Sequence, residues 1–204
     1  MTADPLPRFG DRRRMRVGLL GGSFNPAHAG HRQIAQLALR RLRLDQVWLL
    51  VSPGNVLKPR KGMASLRDRL ASSRVLADNR RIVATGIENT WRTRYSVDTM
   101  RRLRQRFPRV EFVWVMGADI LEELPRWRRW VKFAALVPIA VLPRPGYTLR
   151  ALAGRAARRL HAGRRADRAA ALLARFTPPA WIFLPSRQSA ASASAIRAGK
   201  GAVS

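Results

Sequence analysis

A chain of 204 residues has room for one domain with a full-sized core, and an apolar fraction of 47% marks it as globular. It contains no cysteine, which excludes disulfides, thiolate zinc sites and thiol catalysis. Its 40 basic residues against 12 acidic ones give a net charge of +28, but they are spread along the chain with little aromatic interleaving, as solvated helix faces are, and so argue against a nucleic-acid partner.

No apolar run reaches the roughly 18 residues of a membrane helix, and the first residues lack a signal-peptide core. The expectation is a soluble, cytoplasmic protein. Residues 1–14 are polar, contain several Arg and Pro and show no periodicity, which predicts a disordered arm ahead of a single domain over 15–204. Met15, Val17, Leu19 and Leu20 then form a short apolar run ending at Gly21-Gly22, a buried strand entering a tight turn. The glycine pair admits positive φ and close approach of a ligand to the backbone. Beyond Pro26, helical spacing runs through Ile34, Leu37, Ala38, Leu42 and Leu44, so the loop meets a helix N-terminus, where free N–H groups and the dipole favour phosphate. His28 and His31, three apart, are neighbours at that end, with Gly30 between them.

Gln46–Val51 reads as a second buried strand, stopped by Ser52-Pro53-Gly54, and the loop that follows opens at the strand's carboxyl end, where open α/β sheets bind ligands. Ser65 is placed to cap a helix over 66–77, with Asp68 in its first turn. A short strand is predicted over 81–85, and a helix carrying Val97, Met100 and Leu103 that ends at Pro108. Val110–Met116 is the clearest strand and brings Gly117-Ala118-Asp119 to the same sheet edge as the first loop. An apolar-periodic segment over 121–130, a strand over 134–142, an Ala- and Arg-rich helical region over 149–176 divided at Gly154 and Gly163, a strand over 181–184 and a last helix from Ser192 complete the chain. This alternation predicts an α/β fold, a doubly wound, mostly parallel sheet with right-handed crossovers.

The run GGSFNPAHAGH over 21–31 resembles the signature of the nucleotidyltransferase superfamily, whose HxGH is shared with class I aminoacyl-tRNA synthetases. Further segments, in the order SPGNVLK, YSVDTM, MGADILEELPRWRRW, LPRPGY and SASAIR, resemble one branch of it, the bacterial nicotinate-nucleotide adenylyltransferases of NAD biosynthesis. The likeness covers most of 15–200 except the Ala- and Arg-rich region, and the GAD-to-LPRW run together with RPG separates this branch from phosphopantetheine and cytidylyl enzymes. It implies a Rossmann-like domain in which the phosphate of nicotinate mononucleotide attacks the α-phosphorus of ATP, giving nicotinate adenine dinucleotide and pyrophosphate. A phosphate nucleophile, with a second pKa near ~6, is already ionised at neutral pH. Such a reaction needs positioning and charge neutralisation rather than a general base.

By this resemblance Gly21, Gly22 and Ser23 cradle the triphosphate, while His28, His31 and Arg197 act on it catalytically. Ser192, Ser194 and Ile196 belong to the ATP-binding C-terminal motif, where Ala193 departs from the family's usual serine, and Gly117 and Asp119 lie at the adenosine end. Asn55, Lys58, Tyr95, Ser96 and Trp127 hold the mononucleotide, with Trp127 stacking on the pyridine ring and Val56 in place of a common proline. No protein-built metal site is implied, and Mg2+ arrives as MgATP. Taken singly, several of these residues have plainer readings: Trp127 as a core aromatic, Asp119 as a helix cap, SASAIR as a Ser-capped surface helix. Of the alternatives for the whole chain, a tRNA synthetase would need an anticodon domain for which there is no room, and a phosphopantetheine adenylyltransferase lacks the RPG and LPRW segments. A basic RNA-binding protein on a degenerate transferase fold would be told apart by the absence of ATP turnover.

Overall fold

A computed structural model describes residues 4–54, 62–78 and 80–185. The chain runs β1 (Met15–Gly22), α1 (Ala29–Arg41), β2 (Gln46–Val51), α2 (Leu66–Leu76), β3 (Ile82–Thr85), α3 (Ile87–Trp91), α4 (Ser96–Arg106), β4 (Val110–Gly117), α5 (Ala118–Glu123), α6 (Trp130–Ala134), β5 (Ile139–Leu142), α7 (Thr148–Leu152), α8 (Arg155–Arg159), β6 (Arg164–Arg165) and β7 (Trp181–Phe183). Short 3-10 segments over Leu124–Arg126, His161–Gly163 and Asp167–Arg175 link them. All seven strands pair in parallel, in the order β3-β2-β1-β4-β5-β7-β6. The order therefore runs one way from β1 and the other way from β4. Between those two strands the crossovers diverge, and a crevice opens at their carboxyl ends.

Period-two alternation sends successive residues of β1 into different cores. Val17 and Leu19 join Trp48, Leu50, Phe112 and Trp114 beneath Val97, Met100 and Leu103 of α4. Leu20 joins Leu49, Val51, Val113 and Val115 beneath Ala35, Ala38 and Leu39 of α1. With helices on both faces, the strands are apolar on both sides, as a parallel sheet requires.

The structure corrects three expectations. Residues 4–14 form no helix or strand, yet they are held against the domain: the Asp4 carboxylate accepts from Thr85 Oγ1 (2.6 Å) and the Gly86 N–H (2.7 Å), Trp91 Nε1 donates to the Arg8 carbonyl (2.9 Å), and Leu6 is buried. One buried apolar residue, with the other, Phe9, exposed, leaves no periodic signal. The strand expected over 134–142 is strand only from Ile139, because α6 and a turn occupy the stretch before it, although the Pro138 carbonyl still accepts from the Trp114 N–H (2.8 Å). The Ala- and Arg-rich region is broken into short helices, 3-10 turns and the two-residue β6. At its second break a Cβ on Gly163 would collide with the Pro179 carbonyl, so close packing of the chain overrides helix propensity. The exposed Arg164 and Arg165 of β6 fold over Trp181 and Phe176, at 5.1 and 5.6 Å from the ring centroids.

Candidate active site

β1 delivers its glycine pair to the crevice, and the turn after it is tight enough to place Phe24 at φ 47°, in the left-handed region that bulky side chains avoid. Burial of the Phe24 ring, 2% exposed, offsets that cost, and the ring lies 4.8 Å from that of His31. His28 is the N-cap of α1 rather than part of its face, and His31 is the third helical residue. Their rings are nevertheless in contact, with centroids 3.8 Å apart and planes tilted by 39°. The His28 N–H donates to His31 Nδ1 (3.2 Å), which leaves Nε2 as the protonated nitrogen of a neutral His31 ring. Burial, the neighbouring His28 and the positive charge of Arg144 push the His31 pKa down to about 3. Burial and Arg144 lower that of His28 as well. Both imidazoles are therefore uncharged at neutral pH, and the local positive charge belongs to Arg144.

Arg144 comes from the RPGY segment after β5. Tyr147 N–H closes on the Arg144 carbonyl (3.1 Å) with Pro145 second and Gly146 third in the turn, at φ +76°, as a type II turn demands. Its guanidinium Nε lies 3.9 Å from Asp119 Oδ2. Asp119 leans back over the end of β4, where a Cβ on Gly117 would strike its carboxylate, so the Gly117-Asp119 pair is a steric unit. Thus Gly21 and Gly22 at the end of β1, Ser23 after it, and His28 and His31 at the start of α1 share the crevice with Gly117 at the end of β4, Asp119 in α5 and Arg144 after β5.

On the other side of β1, Tyr95 is the N-cap of α4, with Ser96 as its first helical residue. The Arg128 guanidinium sits over the Tyr95 ring, 4.7 Å from its centroid, and so brings the Trp127 segment to this helix start. Trp127 is half-buried, with its ring edge-on to Trp114 at 6.1 Å and tilted against Phe133 at 5.4 Å. It is anchored in the core and still partly open. A cleft of about 250 Å³ lies alongside, lined by Pro53, Gly54, Glu88, Asn89, Arg92, Thr93 and Arg94. Asn55 and Lys58, and Ser192, Ser194, Ile196 and Arg197 of the C-terminal motif, lie outside the described residues.

Two residues in this region had no assigned role in the sequence reading. Arg144 was visible only as part of a signature. Glu88 carries no motif at all: its Oε1 accepts from Thr99 Oγ1 (2.8 Å), and burial raises its pKa from 4.5 to about 7 despite that bond. The folded state then holds a proton on Glu88 that the unfolded state has lost, so this group's contribution to stability falls as pH rises from 4.5 through 7. Glu88→Gln keeps an acceptor for Thr99 and removes the titration. We expect its stability relative to wild type to shift in its favour by about 2–3 kcal/mol between pH 4.5 and 8. Denaturant melts at several pH values check this, and a difference independent of pH would show that the carboxyl is not perturbed.

Residues 19–199 match the family model described as cytidylyltransferase-like. A Gluconobacter oxydans protein described as "Probable nicotinate-nucleotide adenylyltransferase" is 59% identical over 183 residues, spanning 90% of this chain and 94% of its own. A Brucella suis protein of the same description is 47% identical with the same coverage of each chain. Among solved structures, Plasmodium falciparum nicotinic acid mononucleotide adenylyltransferase complexed with NaAD superposes with a TM-score of 0.66 at 12% identity, covering 90% of this chain and 82% of that one, a likeness of fold.

Proposed function

This chain belongs to the nicotinate-nucleotide adenylyltransferase family, and from that premise we propose that it transfers the adenylyl group of ATP to nicotinate mononucleotide, releasing pyrophosphate. The observation that carries the reading is the pair of neutral histidines in ring contact at the start of α1, with Arg144 and Asp119 opposite them at the switch point. The mononucleotide phosphate attacks the α-phosphorus, the bond from that phosphorus to the bridging oxygen breaks, and its electron pair leaves on pyrophosphate. His31 donates from Nε2 to the oxygen that gains charge, and Arg144 neutralises the phosphates that the backbone N–H groups of Gly22 and Ser23 receive. A neutral imidazole suits this role, because it stabilises developing charge without binding the ground state as tightly as a cation would.

Gly117 and Asp119 take the adenosine side, while Tyr95, Ser96 and Trp127 take the mononucleotide side with Asn55 and Lys58. Ser192, Ser194, Ile196 and Arg197 are proposed for the outer phosphates on the strength of the motif alone. Magnesium enters this scheme as part of the substrate MgATP. Incubation with MgATP and nicotinate mononucleotide should release pyrophosphate and form one dinucleotide per turnover. ATP consumption without the dinucleotide would overturn the proposal.

A further inference from the structure

Arg69, in the first turn of α2, is 2% exposed and has no carboxylate within ion-pairing distance among the described residues. Its donors go instead to backbone carbonyls on separate connections. Nη1 donates to Ser23 (2.8 Å) and to Ser52 (2.7 Å), Nη2 to Pro53 (3.4 Å), and Nε to Ala64 (3.0 Å). Ser23 opens the phosphate turn after β1, Ser52 and Pro53 follow the end of β2 with Pro53 on the wall of the 250 Å³ cleft, and Ala64 precedes the Ser65 cap of α2. Burying a guanidinium costs desolvation, which lowers its pKa, and an apolar side chain would fill the same space without that cost. What an apolar residue cannot do is hold these carbonyls at once. That takes a planar fork with donors at its base and both tips.

The two sides joined by this fork are those that the reading above gives to the two substrates. We propose that Arg69 is a positioning residue for adenylyl transfer: it fixes the ATP-phosphate turn relative to the mononucleotide side, and so sets the approach of one bound substrate to the other. The proposal rests on that functional reading. Asn25 adds a second tie in the same direction, since its Nδ2 donates to the Gly62 carbonyl (3.1 Å) and its Oδ1 accepts from the Ala64 N–H (3.1 Å). The phosphate turn is therefore fastened from both sides to the base of α2. Because each substrate has its own contacts, loosening the fork should spare binding of either one and slow the reaction between them, for which small misplacements are expensive.

The test compares Arg69→Lys with Ser73→Ala. Lysine keeps the charge but cannot span the carbonyls. Ser73 donates to the Arg69 backbone carbonyl (2.7 Å), so its loss weakens the same helix without touching the guanidinium. We expect Arg69→Lys to lower kcat about tenfold or more, with both KM values within threefold of wild type, and Ser73→Ala to lose stability while keeping kcat. Equal kcat in Arg69→Lys and wild type, or equal losses in the two variants, would overturn the proposal. Wild-type turnover is measured first, since its absence removes the functional reading and equal activity of the variants removes only the role of Arg69. A second measurement needs no variant: because the Ser52 N–H already donates to the Gly22 carbonyl (3.0 Å) and Pro53 has no amide hydrogen, the site to read is Gly54, whose hydrogen exchange in the wild type should slow together with that of 22–24 when a methylene-bridged ATP analogue is added. Protection confined to 22–24 would show that the fork transmits nothing.

Discussion

Replacing His31 by alanine should lower kcat by about 100-fold or more while the KM for ATP changes little. With its pKa near 3 the ring is neutral at any ordinary assay pH, and the bond that His31 Nδ1 accepts from the His28 N–H assigns the remaining proton to Nε2. That proton is a single, directed donor. Its orientation is held by tilted contacts with the His28 ring at 3.8 Å and the Phe24 ring at 4.8 Å, so in the proposed reaction no reorganisation would be required as charge develops on the leaving pyrophosphate. Loss of one such donor costs on the order of 10²–10³ in rate. Steady-state kinetics with both substrates varied checks the claim. If kcat is unchanged and KM alone rises, His31 binds the ground state and the assignment is wrong.

The second large effect is expected in substrate choice: nicotinate mononucleotide should be preferred over nicotinamide mononucleotide by at least about tenfold in kcat/KM. A pyridine ring laid on the open face of Trp127 directs its substituent toward the start of α4, where the first N–H groups of the helix have no partner within it. Those groups are donors, and Arg128 over Tyr95 adds positive charge at the same end. The acidic residue in this first turn, Asp98, already faces Arg101 (3.5 Å). A carboxylate accepts at both oxygens, whereas the amide NH₂ meets donors and loses about 1–3 kcal/mol or more when buried. Parallel assays of the two mononucleotides decide it, and equal rates would remove the argument. In the same assay Trp127→Ala should raise the KM for the mononucleotide, and a wild-type KM would show that the ring serves only Trp114 and Phe133.

What could be read before the structure was local. The five apolar residues of β2 and the cap at Ser65, whose Oγ accepts from the Asp68 N–H (3.1 Å), are each written in a few adjacent positions. His28 and His31 were legible as neighbours because three residues separate them, but their actual arrangement, a cap and a helical residue joined by a backbone bond, depends on where α1 begins. Arg144 was hidden for a different reason. The turn that holds it is evident in Pro145-Gly146, whereas its reach toward Asp119 depends on β5 lying beside β4, a long-range pairing. Trp127 defeated an either-or choice, since one side of its ring packs on Phe133 while the residue stays partly open. Arg69 gave no signal at all. An arginine four residues into a polar helix reads as solvated, and only the meeting of distant connections makes it buried.

The two borders of the sheet also differ in how they meet other chains. β3, fully buried, is tied off at its end by Asp4 through Thr85 and Gly86. β6 is only two residues long and both are arginines, held over Trp181 and Phe176 rather than swinging free. A strand so short offers almost no ladder for an incoming strand, and two fixed positive charges on it repel another copy approaching by the same border. Parallel strands pair only across long stretches of chain, a slow step that leaves open borders exposed, and these two borders give a neighbouring copy little to exchange with.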